Sequence, residues 1–516
     1  MAGAHPGVAP HVTAATTTAD PEPAARGAAR GGLANMAGSA LAGGAGVLVT
    51  WIVARALGPE QAGAFFAATA AFVLVGGLSK LGTGTGLVYW PARLRATGQD
   101  HLLGPCLRAG LPPVIVCSLV LAVAMWLAAP WIAHLTAGES PQLIADHTTG
   151  LRVLAVFVPF QALTDVLLTV TRGYRTMRPT VLLDRILRSV LQLVAVSAAG
   201  VAALWAAASL PVFAFAWAAP YLPVVVLAGL SARTAYRKGF VAGAVTGTDR
   251  RRLRRDFWIF TAPRALAAVA QLALQRVDVL LVAALGGLAP AAIYAVAGRF
   301  VVLIQFANQG LSQSVQPRLA EALSTGDQAA ARRLYQIATG WLVLVTWPIC
   351  LLVIAFAPWY LRLFGDGYTA GAPVVLVLAT AMLVATGCGM VDMVLAMAGR
   401  TSANLGNVLI ALAVTIGLDV LLIPRWGALG AAIGLAGAML VNNLLPLAQV
   451  YRGTRLHPFG TGTLSAAALA IGCFGFVVLV PAAVVAAVPA YAAGAWLLRG
   501  PLMLGAFTMR NCRRKS

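Results

Sequence analysis

The sequence predicts an all-α integral membrane protein of about fourteen transmembrane helices, with two six-helix lobes of the same topology followed by two C-terminal helices. The first observation is composition: the 516 residues are 60% hydrophobic and 10% charged, whereas about a quarter of a soluble protein is charged. The second is the recurrence of apolar spans of about 20 residues, the length that crosses a bilayer. The third is an internal repeat, which relates two sets of six spans.

The first half of the chain begins with residues 1–30, which are rich in Ala, Thr, Pro and Gly and predict a disordered cytoplasmic tail. The apolar run after it starts too late and continues too long for a cleaved signal peptide. Residues 31–232 form the predicted N-terminal lobe. Its six spans are 33–57, 61–82, 106–133, 151–171, 181–205 and 210–230.

The second half of the chain follows a basic cytoplasmic loop, residues 233–256. Residues 257–452 form the predicted C-terminal lobe, residues 453–507 hold two further spans, and residues 508–516 form a basic cytoplasmic tail. The spans after the loop are 257–285, 292–316, 335–361, 372–398, 404–423, 428–450, 463–485 and 488–507.

The positive residues predict the orientation of the spans. With the amino terminus in the cytoplasm, the outer loops hold only Arg55, Arg152, Arg362 and Arg425, and the other loop arginines face inward. The positive-inside rule therefore predicts a protein of the cell membrane with both termini on the cytoplasmic side. The net charge of +21 is distributed over short loops without a continuous basic face, which argues against nucleic acid as a partner.

The internal repeat has an offset of about 228 residues. Two halves with the same topology are expected to be related by an axis along the membrane normal, with a path between them. The matched positions are Leu57-Gly58 with Leu285-Gly286, Ala129-Pro130-Trp131 with Ala357-Pro358-Trp359, Gly98 with Gly326, Asp165 with Asp392, Lys80 with Asn308, and Thr50 with Asp278.

Two neighbouring spans of the second lobe carry polar stripes at membrane depth. At 100° per residue, Arg264, Gln271, Gln275 and Asp278 lie within about 60° of one another on the first. The stripe of the second span consists of Gln305, Gln309, Ser312 and Gln316, flanked by Asn308 and Arg299. In the first span of the chain, Asn35 shares a face with Ser39, Gly46 and Thr50. Such groups are costly in lipid, so the stripes indicate a hydrated path.

Three charged residues have more than one interpretation. Arg264 fits either an anion clamp for a phosphate or an interfacial side chain that reaches toward the cytoplasm. Asp278 fits either a structural ion pair with Arg276 or Arg299, which is favoured, or a cation-coupling site. Lys80 fits an interfacial anchor or a ligand for an anion.

The sequence contains no pattern typical of an enzyme, a cofactor site or a metal site. The six histidines form no zinc or triad motif, and the glycines at 82, 84 and 86 lack the GK[ST] that completes a phosphate loop. The six cysteines have no CxxC spacing and are interpreted as small apolar residues.

Four stretches carry a resemblance to a known family. They are residues 54–66 (ARALGPEQAGAFF), 276–282 (RVDVLLV), 294–300 (YAVAGRF) and 423–434 (IPRWGALGAAIG). Within residues 33–450 the chain resembles the polysaccharide-synthesis flippases for O-antigen and exopolysaccharide, in the multidrug/oligosaccharidyl-lipid/polysaccharide exporter superfamily. The two additional spans are similar to those of the lipid II flippase branch.

The resemblance implies that an undecaprenyl-diphosphate-linked glycan moves from the inner to the outer leaflet by alternating access. It also implies a cationic cavity lined by spans one, two, seven and eight. Arg264 and Lys80 are then expected at the diphosphate, and Asn35 in the first lobe contributes as well. The residues expected at the sugar hydroxyls are Gln271, Gln275, Gln305, Asn308 and Gln309. Membrane lipids, a polysaccharide polymerase and glycosyltransferases are the expected partners.

Some features depart from the lipid II branch or fit rival functions. The first span has no cationic residue deep in the membrane, which favours a cell-envelope glycan other than lipid II. A multidrug or cation antiporter of the related branch is the main alternative, although the first span lacks the carboxylate such proteins need. A membrane glycosyltransferase needs acidic or His clusters in a large outer loop, and the loop 134–150 offers only Glu139, Asp146 and His147. A purely structural role as a membrane scaffold would not explain the polar stripes.

Overall fold

The computed structural model describes residues 21–138, 140–174, 176–205, 207, 209–238 and 245–500, and the side chains from residue 37 onward apart from Gln313 and Thr401. Every regular element in these ranges is a helix, which confirms the all-α prediction. Eleven helices among the described residues are long and apolar enough to cross a membrane; the total of about fourteen stays a prediction. The tail 508–516 lies outside the described residues.

The N-lobe, residues 31–232, is built around a long broken helix, α1. It runs from Pro21 to Ser79, and Gly58 breaks it with φ 71° and ψ 176°, so its two arms correspond to the first two predicted spans. It begins inside the tail predicted to be disordered, since that stretch is rich in Ala, the strongest helix former. The other helices are α2 (Thr83–Ala96), α3 (Leu103–Thr136), α4 (Pro141–Gly173), α5 (Ser189–Ala202), α6 (Leu210–Ala218) and α7 (Tyr221–Lys238).

The C-lobe, residues 257–452, begins within the long helix α8 and is followed by three short C-terminal helices. A π-helical segment, Thr180–Arg188, precedes α5 in the N-lobe. The helices of the C-lobe are α8 (Gly247–Leu285), α9 (Leu288–Ala297), α10 (Arg299–Ser324), α11 (Gln328–Ala355), α12 (Ala357–Arg362), α13 (Ala372–Gly387), α14 (Val391–Met397), α15 (Thr401–Trp426) and α16 (Ala428–Thr454). The final helices are α17 (Thr461–Ala470), α18 (Phe476–Leu479) and α19 (Val484–Leu497).

The internal repeat is visible in the backbone. Gly58 and Gly287 both have a positive φ, 71° and 95°, at the break between the first and second spans of their lobes. The sequence match placed Gly286 opposite Gly58, so the repeated turn is shifted by one residue, and Gly286 itself has φ −111°. Gly98 and Gly326, 228 residues apart in the sequence, also have nearly equal φ angles of 69° and 75°. Glycine adopts such angles with little strain, so a turn that occurs in both halves explains why glycine occurs at the corresponding positions.

The lobes are closed against each other on the side where few arginines lie. The indole of Trp51 and the guanidinium of Arg55 donate to the carbonyl oxygen of Leu363 at 2.7 and 2.9 Å. The hydroxyl of Tyr368 donates to the carbonyl oxygen of Ala54 at 3.2 Å. These bonds join the first arm of α1 to the segment between α12 and α13, so this arginine-poor side of the molecule is closed.

Helix α8 packs against both lobes. Leu253 and Phe257 in its first half are buried in a cluster with residues of α2, α3 and α4 in the N-lobe. Ala270 and Leu274 in its second half are buried against α15 and α16 in the C-lobe. Gly82, between α1 and α2, allows the backbone there to approach α8 closely, because a Cβ at this position would lie 2.6 Å from the Cα of Ala265.

Candidate functional site

A polar cavity lies between the two lobes, with a volume of about 190 Å³. Both arms of α1, together with α5, α6, α8 and α10, contribute to its wall. The residues that give the cavity its chemistry are Thr50, Phe66, Thr69, Arg188, Ser189, Gln192, Trp217, Arg276 and Arg299. Its walls therefore combine three guanidinium groups with hydroxyls, an amide and aromatic rings.

The three arginines come from different elements of the fold. Arg188 ends the π-helical segment, and it donates to Asp184 at 2.9 Å and to Gln192 at 3.1 Å. Arg276 lies in α8, and Arg299 begins α10 with its guanidinium 5.7 Å from the ring centre of Phe66. The Nε atoms of Arg276 and Arg299 are buried without an acceptor among the described residues. Because a buried unpaired donor is costly, these two groups are suited to receive an anion.

Asp278 is not paired with the arginines beside it. It is 4% exposed, accepts a bond from its neighbour Val279 at 2.8 Å and accepts a second from the hydroxyl of Tyr294. The favoured ion pair with Arg276 or Arg299 is not formed in the described part of the chain. Residues two apart on a helix point about 200° away from each other, so Arg276 faces the cavity while Asp278 faces the C-lobe.

The polar stripe of α8 lies outside this cavity. Arg264, Gln271 and Gln275 are exposed and lie within about 40° of one another. Phe257 points in nearly the same direction from a position two turns before Arg264 and five turns before Gln275, and it is buried against the N-lobe. The strongly exposed apolar residue Leu266, 57% exposed, lies on the opposite side of the helix. The polar stripe and the exposed apolar side are therefore opposite faces of this helix, and the apolar side is suited to contact with lipid.

Within the described part of the chain, the polar contacts of Arg264 are local. Its guanidinium lies 3.7 Å from the ring centre of Phe260 and donates to the carbonyl oxygen of Phe260 at 2.6 Å. It does not line the cavity that contains Arg276 and Arg299. The structure thus separates the predicted anion clamp from the arginine cluster.

The stripe of α10 has the same arrangement. Gln305 and Gln309 are exposed, and Asn308 is half-buried with Ser312 as a distant donor at 3.5 Å. Leu303, which is 47% exposed, lies about 140° from Asn308 around the helix axis. As in α8, one side of the helix is polar and another is suited to lipid.

The two predicted ligands of the N-lobe have different outcomes. The ammonium of Lys80 is paired with Asp165 at 2.8 Å, and both side chains are about one third exposed. An anion at Lys80 would therefore compete with a carboxylate that is already in place. The side chain of Asn35 lies outside the described residues.

Two residues of interest were missed in the sequence. Arg188 forms a local ion pair with Asp184, and it also lines the cavity. Asp419 is fully buried in α15, and neither carboxylate oxygen has a partner among the described residues. The sequence offered a signal for Asp419, because an ionisable residue within an apolar run such as TIGLDVLLI indicates a functional site.

A chain of many membrane-spanning helices, arranged as two repeated lobes around a polar cavity, has the architecture of a membrane transporter. The chain belongs to the MatE family, whose model matches residues 36–195 and 263–424. It is thus a transporter of the superfamily predicted from the sequence. The two matches start 227 residues apart, close to the predicted repeat offset. The comparison with curated proteins found no match.

Several solved structures share this fold. The lipid II flippase MurJ in an inward closed conformation is 13% identical with a TM-score of 0.66, over 91% of this chain and 99% of that chain. A multidrug resistance MATE family transporter in an inward-facing conformation is 15% identical with a TM-score of 0.63, over 79% of this chain and 93% of the other. A MOP superfamily transporter from Pyrococcus furiosus, whose binding pocket is reported to have reverse polarity, is 18% identical with a TM-score of 0.55, over 83% of this chain and 96% of that chain.

Proposed function

We propose that this transporter is a flippase for a lipid-linked oligosaccharide, an undecaprenyl-diphosphate-linked precursor of a cell-envelope polysaccharide. The observation that carries the proposal is the arginine-lined cavity between the lobes, in which the buried Nε donors of Arg276 and Arg299 have no acceptor among the described residues. A diphosphate supplies several acceptor oxygens and negative charge. Arginine binds such groups with two parallel hydrogen bonds.

The headgroup site is assigned to Arg188, Arg276 and Arg299. Two of these arginines come from the C-lobe and one from the N-lobe, so a bound diphosphate holds both lobes. Lys80 is left out of the site because Asp165 already neutralises it. Arg264 is assigned to the space between the lobes, from which a headgroup reaches the cavity.

The sugars are assigned to the amide stripes. Gln271 and Gln275 of α8, with Gln305, Asn308 and Gln309 of α10, offer amide donors and acceptors outside the small cavity. Sugar hydroxyls need such partners where water is scarce, since unpaired polar groups are costly at membrane depth. Asn35 is proposed to contribute from the N-lobe.

Transport is proposed to proceed from the cytoplasmic leaflet to the outer leaflet while the polyprenyl tail stays in lipid. A membrane potential that is negative inside assists outward movement of the anionic headgroup. It also assists the return of the empty cationic site. A polysaccharide polymerase or glycosyltransferases are the partners that such a substrate implies.

The direct test is translocation of a fluorescent undecaprenyl-diphosphate oligosaccharide in vesicles that contain the purified protein. Replacing Arg276 or Arg299 by Gln removes one charge-assisted contact of about 1.5–3 kcal/mol, so we expect transport at limiting substrate to fall about 10- to 150-fold. Arg362→Gln, at an exposed arginine on the arginine-poor side, is the matched control. Equal rates for all three variants would remove the headgroup assignment.

A multidrug or cation antiporter is the second candidate, and Asp278 and Asp419 favour it. Both are buried carboxylates of the C-lobe, and such groups at membrane depth can bind a coupling proton or cation. The arginine cavity opposes a cationic cargo. Efflux of ethidium from vesicles under a proton or sodium gradient, lost in Asp278→Asn, would favour the antiporter; a flippase gives no ethidium efflux.

A further inference from the structure

The first turns of α8 carry a face that differs from the transport cavity. Its residues recur at helical spacing, and they line a surface groove of about 540 Å³. They are Arg251, Arg254, Arg255, Trp258, Ile259 and Ala262. Three guanidinium groups lie toward the start of the helix, and an indole and aliphatic surface lie beyond them. The face therefore changes from cationic to apolar along the helix.

This face has no protein covering it in the described part of the chain. Arg251, Arg254 and Arg255 are exposed, and Ile259 is 62% exposed. The buried side of the same turns is formed by Leu253 and Phe257, which pack against the N-lobe. The groove is thus the outward side of a helix whose other side is already anchored.

The neighbouring carboxylates do not neutralise these arginines. Asp249 is engaged at the helix start, where it forms a capping box with Thr246 and accepts its hydroxyl at 2.6 Å. Asp256 is exposed and forms no ion pair with the arginines of the groove among the described residues. The groove therefore keeps a strong positive charge.

We propose that this groove binds an anionic phospholipid from the leaflet next to it. The phosphate is held by Arg251, Arg254 and Arg255, and an acyl chain lies along Trp258, Ile259 and Ala262. The match is in both charge and polarity, since the cationic end lies in the loop region and the apolar end enters the predicted span at residue 257. A free phosphate would use only the first half of this surface, and basic clusters next to a spanning helix attract anionic lipid.

The lipid is expected to stabilise α8 in its present position. The same turns of α8 pack on α2 and α3 through Leu253 and Phe257, while the later turns pack on the C-lobe. A phospholipid fixed to the outward side restrains the first half of the helix against the N-lobe. Anionic lipid therefore acts on the contact between the lobes without entering the transport cavity.

Native mass spectrometry of the full-length protein, titrated with dioleoylphosphatidylglycerol, measures the first consequence. Each arginine near an anionic headgroup contributes about fivefold to binding, so Arg251→Gln with Arg255→Gln should weaken the highest-affinity site about 25-fold. The matched control is Arg250→Gln with Arg252→Gln, which removes the same charge from the same turns but lies off the groove. Equal weakening in both double variants would overturn the proposal, since it would mean a diffuse charge effect.

Two further arms identify the ligand and its position. Dioleoylphosphatidylcholine and glycerol 3-phosphate should each bind at least tenfold more weakly than phosphatidylglycerol; equal binding of glycerol 3-phosphate would mean a phosphate site rather than a lipid site. Phosphatidylglycerol with brominated acyl chains should quench the fluorescence of Trp258 by contact. Brominated phosphatidylglycerol should quench more strongly than brominated phosphatidylcholine, and this difference should disappear in Trp258→Phe. If the difference persists in that variant, the lipid lies elsewhere.

Discussion

Replacement of Gly63 by Ala should open the arginine-poor side of the molecule. Gly63 lies in the second arm of α1, and a Cβ at this position would overlap the backbone carbonyl of Leu288 at the start of α9. An ordinary van der Waals contact needs 3.4 Å or more, so these two backbones, which belong to different lobes, must separate. The substitution acts on the closed state in particular.

The magnitude follows from the cost of overpacking. Extra methyl groups in a close-packed contact cost about 1–3 kcal/mol, which corresponds to a change of about 5- to 150-fold in the ratio of open to closed molecules. The helix propensity gained by Gly→Ala is the same in both states and cancels. Gly44→Ala is the matched control, since a Cβ there has nothing within 4 Å.

The assay is a distance measurement between spin labels at Glu60→Cys and Asp366→Cys in a cysteine-free protein. Both positions are exposed on the arginine-poor side, one in each lobe. Gly63→Ala should shift the distance distribution to longer values, and Gly44→Ala should leave it unchanged. Identical distributions for the two variants would refute the steric reasoning.

Three further predictions concern stability and closure. Lys80→Met leaves Asp165 without its partner and should lower the melting temperature, by the equivalent of about 1–3 kcal/mol; adding Asp165→Leu should restore most of it, and a further fall would contradict the pairing. Thr246→Ala should cost about 1 kcal/mol by removing the cap of α8, seen as faster amide exchange over its first turn, with Thr248→Ala as the control. Tyr368→Phe removes an interlobe hydrogen bond of about 0.5–1.5 kcal/mol and should widen the same spin-label distance, whereas an unchanged distance would show that the bond does not hold the lobes.

The helical fold could be predicted because its determinants are local. Hydropathy identifies a spanning helix from about 20 consecutive residues, and the repeated glycines mark turns that recur in both halves. Gly98 and Gly326 were matched in the sequence, and their φ angles agree within a few degrees, at 69° and 75°. The boundaries were harder to predict, since α1 begins at Pro21 and breaks only at Gly58.

The site was predicted less completely because it is assembled from both lobes. Helical periodicity shows which residues share a face of one helix, as with Gln271 and Gln275, but not how that helix is turned toward elements far away in the chain. Arg276 and Arg299 were therefore considered as partners for Asp278, whereas they line a cavity with Arg188. The opposite directions of Arg276 and Asp278 were available from the helical period alone.

Helix α8 restricts how the two lobes can move. It is one continuous helix from Gly247 to Leu285, and its ends are packed on different halves of the protein. A change in the angle between the halves must therefore bend this helix or separate it from one of the two surfaces on which it packs. Pro263 lies between the two packed regions and lacks the amide hydrogen that would complete the local helical bonding, so the bend has a defined place to occur.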